Sequence, residues 1–224
     1  MDKRIRLHAF FMVTALLCVG TKSFAEPQNI GALRTELQAY HDTGAYDKEV
    51  AAVIKKAETY IDARETTNSK LEKPEKLALV LDIDDTSLSN YKHIIERDFC
   101  QNKHLIKSGI LRADAPAIAP TLALYKNARK EKIAVFFVTG RRPDLQKATE
   151  RNLKAAGYTT WSGIFFRPKE DTNQSIVPYK TQVRSNITQQ GYTIIATIGD
   201  QDSDLAGGYA EKTFKLPNPF YYLR

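Results

Sequence analysis

The chain has 224 residues, a length that suits one domain of ordinary size with a small extension. Hydrophobic residues make up 42% of it, enough for a packed core, so disorder over most of the length is excluded. The net charge is +7 at pH 7, yet the sequence contains no Lys/Arg run of the kind that binds nucleic acid polymers. We therefore expect no nucleic acid polymer as a partner.

The first 25 residues have the pattern of a secretory signal peptide. Lys3, Arg4 and Arg6 provide a basic start, residues 9–20 are mostly apolar, and Ser23-Phe24-Ala25 places small residues where signal peptidase cleaves. The apolar stretch is shorter than the roughly 20 residues that a membrane span needs. Residues 1–25 are thus predicted to direct export to the periplasm or secretion, leaving no stable membrane anchor after removal.

Removal of this segment changes the charge and the cysteine content. The segment carries four Lys/Arg and one Asp, so the remainder has 29 Lys/Arg against 25 Asp/Glu, a net charge of +4. The remaining cysteine is Cys100, which we expect to be buried beside Phe99. Pairing with another chain is the alternative, and a homo-oligomer is left open. Leu17 is bulky where lipid attachment at Cys18 requires a small residue.

Two helices are predicted before the main domain. Apolar residues recur every three or four positions along two stretches between Asn29 and Ala63, separated by a loop at 42–44. Residues 65–75 are polar and are interpreted as a connector. Residues 26–75 are therefore assigned to an N-terminal helical extension and connector.

From residue 76 onward, short apolar runs alternate with helical stretches. The runs are 77–81, 133–138, 163–166, 192–198 and 213–216. The helical stretches between them are 117–129, 143–156 and 179–190. This alternation predicts an α/β domain over 76–224, with a parallel sheet flanked by helices. About 50 residues separate the first two strands, more than one crossover helix needs, so residues 87–116 are interpreted as a small helical cap insert.

Polar residues follow three of the predicted strands. Asp82 and Asp84 follow the first, Thr139 follows the second, and Asp200 and Asp204 follow the fourth. Binding sites of open α/β sheets form beyond the carboxyl ends of the strands, so these groups are expected to converge. Two charges about 4 Å apart repel by about 4 kcal/mol at an effective dielectric of 20. A hard oxygen-binding cation would offset that repulsion, and magnesium, which also binds phosphate oxygens, is the predicted cofactor.

These segments resemble the four motifs of the haloacid dehalogenase superfamily. Residues 80–86 are similar to its first motif, Thr139 to its second, Lys180 to its third and residues 199–204 to its fourth. Further segments resemble the acid phosphatase class B branch, which includes plant acid phosphatases and vegetative storage proteins. These segments are 88–90, 137–141, 199–201 and 213–222.

The resemblance implies catalytic and phosphate-binding roles. Asp82 would be the nucleophile that forms a phospho-aspartate, and Asp84 the acid that protonates the leaving oxygen and later activates water. Thr139 and Lys180 would bind the transferring phosphoryl oxygens, with Lys169 as a rival for the lysine. Because Asp84 must first be protonated, an acidic pH optimum is expected.

The resemblance also implies a magnesium site. Asp82, the backbone carbonyl of Asp84, and Asp200 would be ligands, with Asp204 binding directly or through a neighbouring ligand. Asp204 has a second interpretation as the cap of a following turn. Asp85 is interpreted as an acid at a helix start. Arg141 and Arg142 are assigned no catalytic role.

The predicted function is hydrolysis of small phosphate monoesters by a magnesium-dependent acid phosphatase. One alternative is a non-catalytic storage or binding protein on the same fold, and another is a phosphotransferase that uses the same intermediate. The sequence does not specify the substrate, because specificity in such enzymes comes largely from the cap. Tyr91, Phe99 and Lys103 of the cap are candidates for contacting a leaving group, or for packing and solvation alone.

Overall fold

In the computed structural model, which describes residues 26–223, a parallel sheet forms the centre of the fold. Its strands are β1 (Lys76–Leu81), β2 (Ala134–Thr139), β3 (Gly163–Phe166), β4 (Tyr192–Gly199) and β5 (Lys212–Lys215). They lie in the order β3-β2-β1-β4-β5, and every neighbouring pair is parallel. Strand order reverses beside β1, which makes the carboxyl end of β1 the expected place for a binding site. The predicted signal peptide at 1–25 lies outside the described residues.

Helices precede the sheet and connect its strands. They are α1 (Ile30–Asp42), α2 (Ala45–Asn68), α3 (Tyr91–Glu96), α4 (Lys103–Arg112), α5 (Ala119–Lys130), α6 (Gln146–Ala155), α7 (Val177–Gln189) and α8 (Asp202–Leu205). A short 3-10 turn at Pro143–Leu145 begins the segment predicted as one helix from 143. The observed architecture confirms the predicted α/β class with a parallel sheet flanked by helices.

The central strand β1 is buried on both faces. Leu79 and Leu81 pack into a core on one side, whereas Ala78 and Val80 pack into a second core on the other. Helices α2, α5 and α6 contribute to the first core, and α7 covers the second. This two-sided burial explains why β1 is a continuous apolar run rather than an alternating one.

Helices α1 and α2 confirm the two predicted N-terminal helices. Val50, Ile54 and Ile61 of α2 are buried in the same core as the sheet. The predicted polar connector at 65–75 is wrong over its first part, because α2 continues to Asn68. There the Asn68 side chain accepts from the Glu75 amide at 2.9 Å and donates to the Glu75 carbonyl at 3.1 Å. The longer helix thereby places an amide that satisfies the backbone entering β1.

The segment between β1 and α5 contains α3 and α4, and we call residues 87–116 the cap segment. Its two ends meet, because Ser89 N donates to the Pro116 carbonyl at 2.9 Å and Ile118 N to the Ser87 carbonyl at 3.0 Å. At the start of α3, the Tyr91 hydroxyl donates to Asp42 at 2.9 Å. The cap segment is therefore connected both to the strand end and to α1.

The structure contradicts the expected burial of Cys100. This residue is exposed, in the loop between α3 and α4. The Cys100 carbonyl accepts from Arg97 Nε at 3.0 Å, so the loop path is set by a backbone contact rather than by burial of the thiol. Within the described part of the chain, no helix combines the length and apolar character needed to cross a bilayer.

Candidate active site

The strand ends bring Asp82 and Asp200 together at one edge of the sheet. Asp82 follows β1 and Asp200 follows β4, and Leu81 pairs with Ile198 in the ladder between these strands. The ladder extends one step further, because Asp82 N donates to the Ile198 carbonyl at 3.0 Å. Both carboxylates are buried. The pairing of β1 with β4 thus places two acids, distant in sequence, at neighbouring positions.

Asp204 completes a group of three buried acids. Carboxylate oxygens of Asp82, Asp200 and Asp204 lie within 4.8 Å of one another. Burial raises the pKa of Asp82 well above its ordinary value, opposed by the charge of Lys180. Burial, reinforced by the charge of Asp204, raises the pKa of Asp200 to about 7. A cation held by these oxygens would relieve this repulsion, and a set of carboxylates without histidine or cysteine fits a hard divalent metal.

Lys180, on the first turns of α7, is the cation nearest to Asp82. Its Nζ lies 2.6 Å from Oδ1 of Asp82 and also donates to Asp204, and the lysine is buried. Burial lowers the pKa of Lys180, but the charges of Asp82 and Asp204 outweigh it and raise the pKa overall. The rival Lys169 is exposed. The structure therefore places Lys180, and not Lys169, against Asp82.

Asp84 is held by an arginine that the sequence analysis left without a role. Arg141 follows β2, and its Nε and Nη2 donate to Oδ1 of Asp84 at 3.2 and 2.7 Å. Nε also reaches Oδ2 at 3.1 Å, and Asn90 Nδ2 donates to Oδ1 at 2.8 Å. Burial raises the pKa of Asp84, but the Arg141 charge and hydrogen bonds reverse this and lower it overall. The signal in the sequence was a charged residue two positions beyond the end of a buried strand.

Thr139 ends β2 and is fully buried. Its hydroxyl oxygen accepts from the Arg141 backbone amide at 3.1 Å, which leaves the hydroxyl hydrogen free to donate. Gly140 and Arg141, rather than Thr139, line the adjoining cleft among the described residues. The structure thus places Thr139 at the strand end beneath the backbone that faces the cleft.

Asp200 and Asp204 are fixed by separate hydrogen bonds. Donors to Asp200 are Thr86 Oγ1 (3.1 Å), Gln201 Nε2 (2.7 Å), Asn218 Nδ2 (2.6 Å) and the Tyr221 hydroxyl (3.2 Å). Asp204 accepts from the Gln201 amide at 2.9 Å and so caps the short helix α8. The interpretation of Asp204 as a cap is therefore confirmed, and its other oxygen contacts Lys180.

Asp85 does not start a helix, and that prediction is wrong. Asp85 has a left-handed backbone (φ 51°), and the next helix, α3, begins only at Tyr91. Its carboxylate accepts from the Asn90 amide at 2.8 Å and from Asn90 Nδ2 at 3.2 Å. Burial, partly opposed by these bonds, raises the pKa of Asp85 to about 6. Asp85 instead shapes the turn that carries the chain from β1 into the cap segment.

The acids open into a cleft of about 570 Å³ between the sheet edge and the cap segment. This volume is typical of sites for small molecules. Its lining includes Asp82, Asp84, Asp200 and Lys180 from the sheet edge and α7, and Arg97, Ile106 and Ile110 from the cap segment. Asp82 is therefore open to this cleft.

The parallel sheet and the three buried acids at its edge together define an α/β protein with an acidic site beyond the carboxyl ends of its strands. The chain belongs to the HAD superfamily, subfamily IIIB (acid phosphatase), whose family model matches residues 12–224. Subfamily IIIB is a family of phosphoric monoester hydrolases, as the resemblance of the motifs implied. The predicted family is thereby confirmed.

Relatives with curated descriptions are plant proteins. The chain is 38% identical to the stem 28 kDa glycoprotein of Glycine max, over 69% of this chain and 63% of that protein. It is 32% identical to acid phosphatase 1 of Solanum lycopersicum, covering 64% and 58% of the two chains. It is also 32% identical to vegetative storage protein 1 of Arabidopsis thaliana, covering 64% and 54%. The alignments thus span less than two thirds of these three relatives.

A solved structure shows the same fold. The class C acid phosphatase from Bacillus anthracis superposes with a TM-score of 0.68 over 86% of each chain. Sequence identity in this superposition is 21%. The likeness covers most of the chain and supports the fold.

Proposed function

We propose that this protein is a magnesium-dependent acid phosphatase that hydrolyses small phosphate monoesters through a phospho-aspartate on Asp82. One observation carries the proposal: Asp82 faces a cleft, is bound by Lys180 at 2.6 Å, and lies within 4.8 Å of two further buried acids. An oxygen nucleophile, a cation and a site for a metal therefore meet at one point. The family and the tomato relative named acid phosphatase 1 support the same activity.

Each residue has a defined task in the proposed reaction. A carboxylate oxygen of Asp82 attacks phosphorus, the bond from phosphorus to the leaving oxygen breaks, and Asp84 donates its proton to that oxygen. Water then attacks the phosphorus of the phospho-aspartate, Asp84 takes a proton from it, and phosphate leaves with Asp82 restored. Lys180 holds the phosphoryl oxygens during both transfers. Thr139 would join it through its free hydroxyl hydrogen, once a phosphoryl oxygen enters beside the strand end.

Magnesium would be held by Asp82, Asp200 and Asp204 together with the backbone carbonyl of Asp84. When bound, it supplies positive charge that offsets the crowded carboxylates and the incoming phosphate. The described residues fit this ion, because the three side chains offer only oxygen ligands in a buried group. Lys180 orients Asp82 independently of the metal, through its direct hydrogen bond.

Arg141 affects how the rate of the proposed reaction depends on pH, because it controls the protonation of Asp84. Its ion pair with Asp84 favours the ionised carboxylate, so the proton-donating form becomes more populated as pH falls. The first transfer needs that protonated form, and we therefore expect an acidic optimum.

Export, predicted from residues 1–25, remains part of the proposal and is tested by sequencing the N-terminus of the secreted or periplasmic form.

The decisive experiment compares Asp82→Asn with Asp202→Asn on a panel of phosphate monoesters. Asp202 lies between Asp200 and Asp204 in the sequence, but its side chain is exposed in the first turn of α8 and is not part of the acid group. It therefore controls for the loss of a nearby charge. We expect Asp82→Asn to lose at least about 10³-fold in kcat, and Asp202→Asn to stay within a few-fold of wild type. Full activity of Asp82→Asn would eliminate the proposed mechanism.

Two further measurements separate the alternatives. A chelator should abolish activity and magnesium should restore it, whereas a storage or binding protein would release no phosphate under either condition. The Arabidopsis relative named as a storage protein makes this comparison necessary. A phosphotransferase would form new phosphate esters when alcohols or nucleosides are added, and product analysis detects them.

A further inference from the structure

Arg97 is distinguished among the cations of the cleft. It follows α3 in the cap segment, lines the cleft and is half-buried. Lys107 and Arg167 are paired with acids, Asp144 at 2.6 Å and Asp171 at 2.9 Å. Arg142 donates from both terminal nitrogens to backbone carbonyls, and Lys103 is exposed to solvent. Among the described residues, no carboxylate lies within ion-pair distance of Arg97.

The guanidinium of Arg97 retains unused donors. Its Nε donates to the Cys100 carbonyl at 3.0 Å, and this bond fixes the direction of the side chain. No hydrogen bond from its two terminal nitrogens is found within residues 26–223. A planar guanidinium held by one nitrogen, with the other two free, is suited to bind an oxyanion through two parallel hydrogen bonds.

The acids nearest to Arg97 are already occupied by other donors. Asp84 binds Arg141 and Asn90, and Asp85 binds Asn90 through both oxygens. Burial lowers the pKa of Arg97, and the charges of Asp85 and Asp84 partly oppose this. Arg97 therefore lies in the field of these two acids without a direct partner, and its terminal donors stay available to an anion.

The position of Arg97 relates it to the leaving group. Asp84 is the residue that would protonate the leaving oxygen, and Arg97 lies on the Asp84 side of the cleft, on the cap wall. The phosphoryl oxygens would be bound beside Asp82, where Nζ of Lys180 lies 2.6 Å from Oδ1. Ile106 and Ile110 of the cap segment add apolar surface to the lining of the same cleft.

We propose that Arg97 binds a second anionic group on the leaving portion of the substrate, so that the preferred substrates are phosphate monoesters that also carry a carboxylate or a second phosphate. This inference rests on the proposed phosphatase function and deepens it. Arg97 would bind an oxyanion that is attached to a short aliphatic or sugar-like leaving group. Arg97 is thus a specificity-determining residue supplied by the cap segment.

The test measures binding rather than turnover, in the full chain with Asp82→Asn as background. Calorimetry with magnesium present compares 3-phosphoglycerate with glycerol 3-phosphate, which differ in a carboxylate, and glucose 1,6-bisphosphate with glucose 6-phosphate, which differ in a phosphate. We expect Arg97→Met to weaken binding of the carboxylate or bisphosphate ligand by about 10- to 100-fold, the range for losing hydrogen bonds to a charged group. The paired ligand with one phosphate should change less than about 3-fold.

Arg112→Met is the matched control. Arg112 also lies in the cap segment, on α4, but is paired with Glu96 and lies outside the cleft lining. We expect it to leave all four affinities unchanged, whereas Arg97→Lys should retain part of the preference because it keeps the charge. Circular dichroism and thermal melting establish that each variant is folded.

Four outcomes are distinguished. Selective loss for one or both doubly anionic ligands supports the proposal and shows whether carboxylate or phosphate is preferred. Equal loss for both members of each pair overturns it, because Arg97 would then bind the transferring phosphate, and no loss overturns it as well. If wild-type protein hydrolyses none of the four esters yet the selective binding persists, the proposed hydrolysis fails and the anion site stands.

Discussion

The side-chain amide of Asn218 donates a 2.6 Å hydrogen bond to Oδ2 of Asp200. Asn218 lies beyond the last strand, β5, so the C-terminal segment returns to the carboxyl end of β4 and orients an acid of the candidate metal site. Tyr221 donates to the same oxygen at 3.2 Å. Asp200 is therefore positioned by residues that belong to neither its own strand nor the cap segment.

This contact predicts that Asn218→Ala weakens metal binding. Groups that orient metal ligands typically contribute about 10- to 100-fold to metal affinity. We expect the magnesium concentration for half-maximal activity to rise by about that factor, while kcat at saturating magnesium falls less. Asn186→Ala, exposed on α7, is the control and should leave the magnesium dependence unchanged. An unchanged midpoint in Asn218→Ala would show that the contact does not act on the metal site.

Lys180→Met should affect both stability and activity. The variant leaves the buried carboxylates of Asp82 and Asp204 without their cation. Breaking a buried ion pair in this way typically lowers the free energy of unfolding by about 3–5 kcal/mol. Activity should fall by at least about 10²-fold, because the nucleophile loses its orienting donor. Urea unfolding and phosphate release measure the two effects.

Magnesium provides an internal check on that prediction. Because the ion would neutralise the same acids, it should raise the Tm of Lys180→Met more than that of wild type. Lys169→Met, at an exposed lysine, should behave as wild type in both assays. If Lys180→Met unfolds at the wild-type urea concentration, the ion pair does not stabilise the fold.

Gly199→Ala is expected to distort the site. A Cβ at Gly199 would collide with the Cβ and the carboxylate of Asp204, which packs against the end of β4. We expect a loss of stability of about 1–3 kcal/mol, typical of overpacking, together with loss of magnesium activation. Gly44→Ala is the comparison, since Gly44 has φ +77° with open space around it and should cost about 1–2 kcal/mol of backbone strain without affecting activity. Equal activities of the two variants would contradict the packing argument.

Acid stability depends in part on Asp114. Lys92 donates to Asp114 at 2.9 Å, and His93 Nε2 lies 2.7 Å from its other oxygen. Led by the Lys92 hydrogen bond, these contacts lower the pKa of Asp114 to about 2. A lowered pKa means that the stabilisation is present above the ordinary pKa, near about 4, and is lost as pH falls toward about 2.

Asp114→Asn should therefore flatten the dependence of unfolding free energy on pH between about 4 and about 2. The effect is expected to stay below about 1 kcal/mol, because Asp114 is partly exposed and solvent screens the pair. Urea unfolding at a series of pH values measures it. Asp62→Asn, exposed on α2, is the control. A slope identical to wild type in Asp114→Asn would show that the cap contacts do not stabilise the protein in acid.

The parts of the fold that were predictable from sequence are those governed by local periodicity. Apolar runs marked the buried strands, and their carboxyl ends located Asp82, Thr139 and Asp200, because parallel strands end at a common edge. Lys180 was selected by resemblance to a motif, and the structure brings it to Asp82. The helical character of residues 65–68 was missed, because the polar composition there conceals a helix that is held by tertiary contacts.

Other features of the site required the tertiary structure. Asp85 is buried in a turn rather than at a helix start, and Arg141 pairs with Asp84 across 57 residues. Composition and spacing do not predict such contacts, because the contacts depend on the path of the loop that follows each strand. The same reason explains the exposure of Cys100, whose neighbourhood was inferred from its sequence neighbour alone.

The amino-acid sequence by itself determined the α/β class, the family and the acids that gather at the sheet edge, because strand periodicity and motif spacing are local properties. Only the tertiary structure decided which donor satisfies which acid. Asn218 reaches Asp200 from the C-terminal segment, and Arg97 is left without an acid because Arg141 and Asn90 occupy the neighbouring carboxylates. Pairing of buried charges is a competition among all groups in reach, and that competition is settled only when the chain is folded.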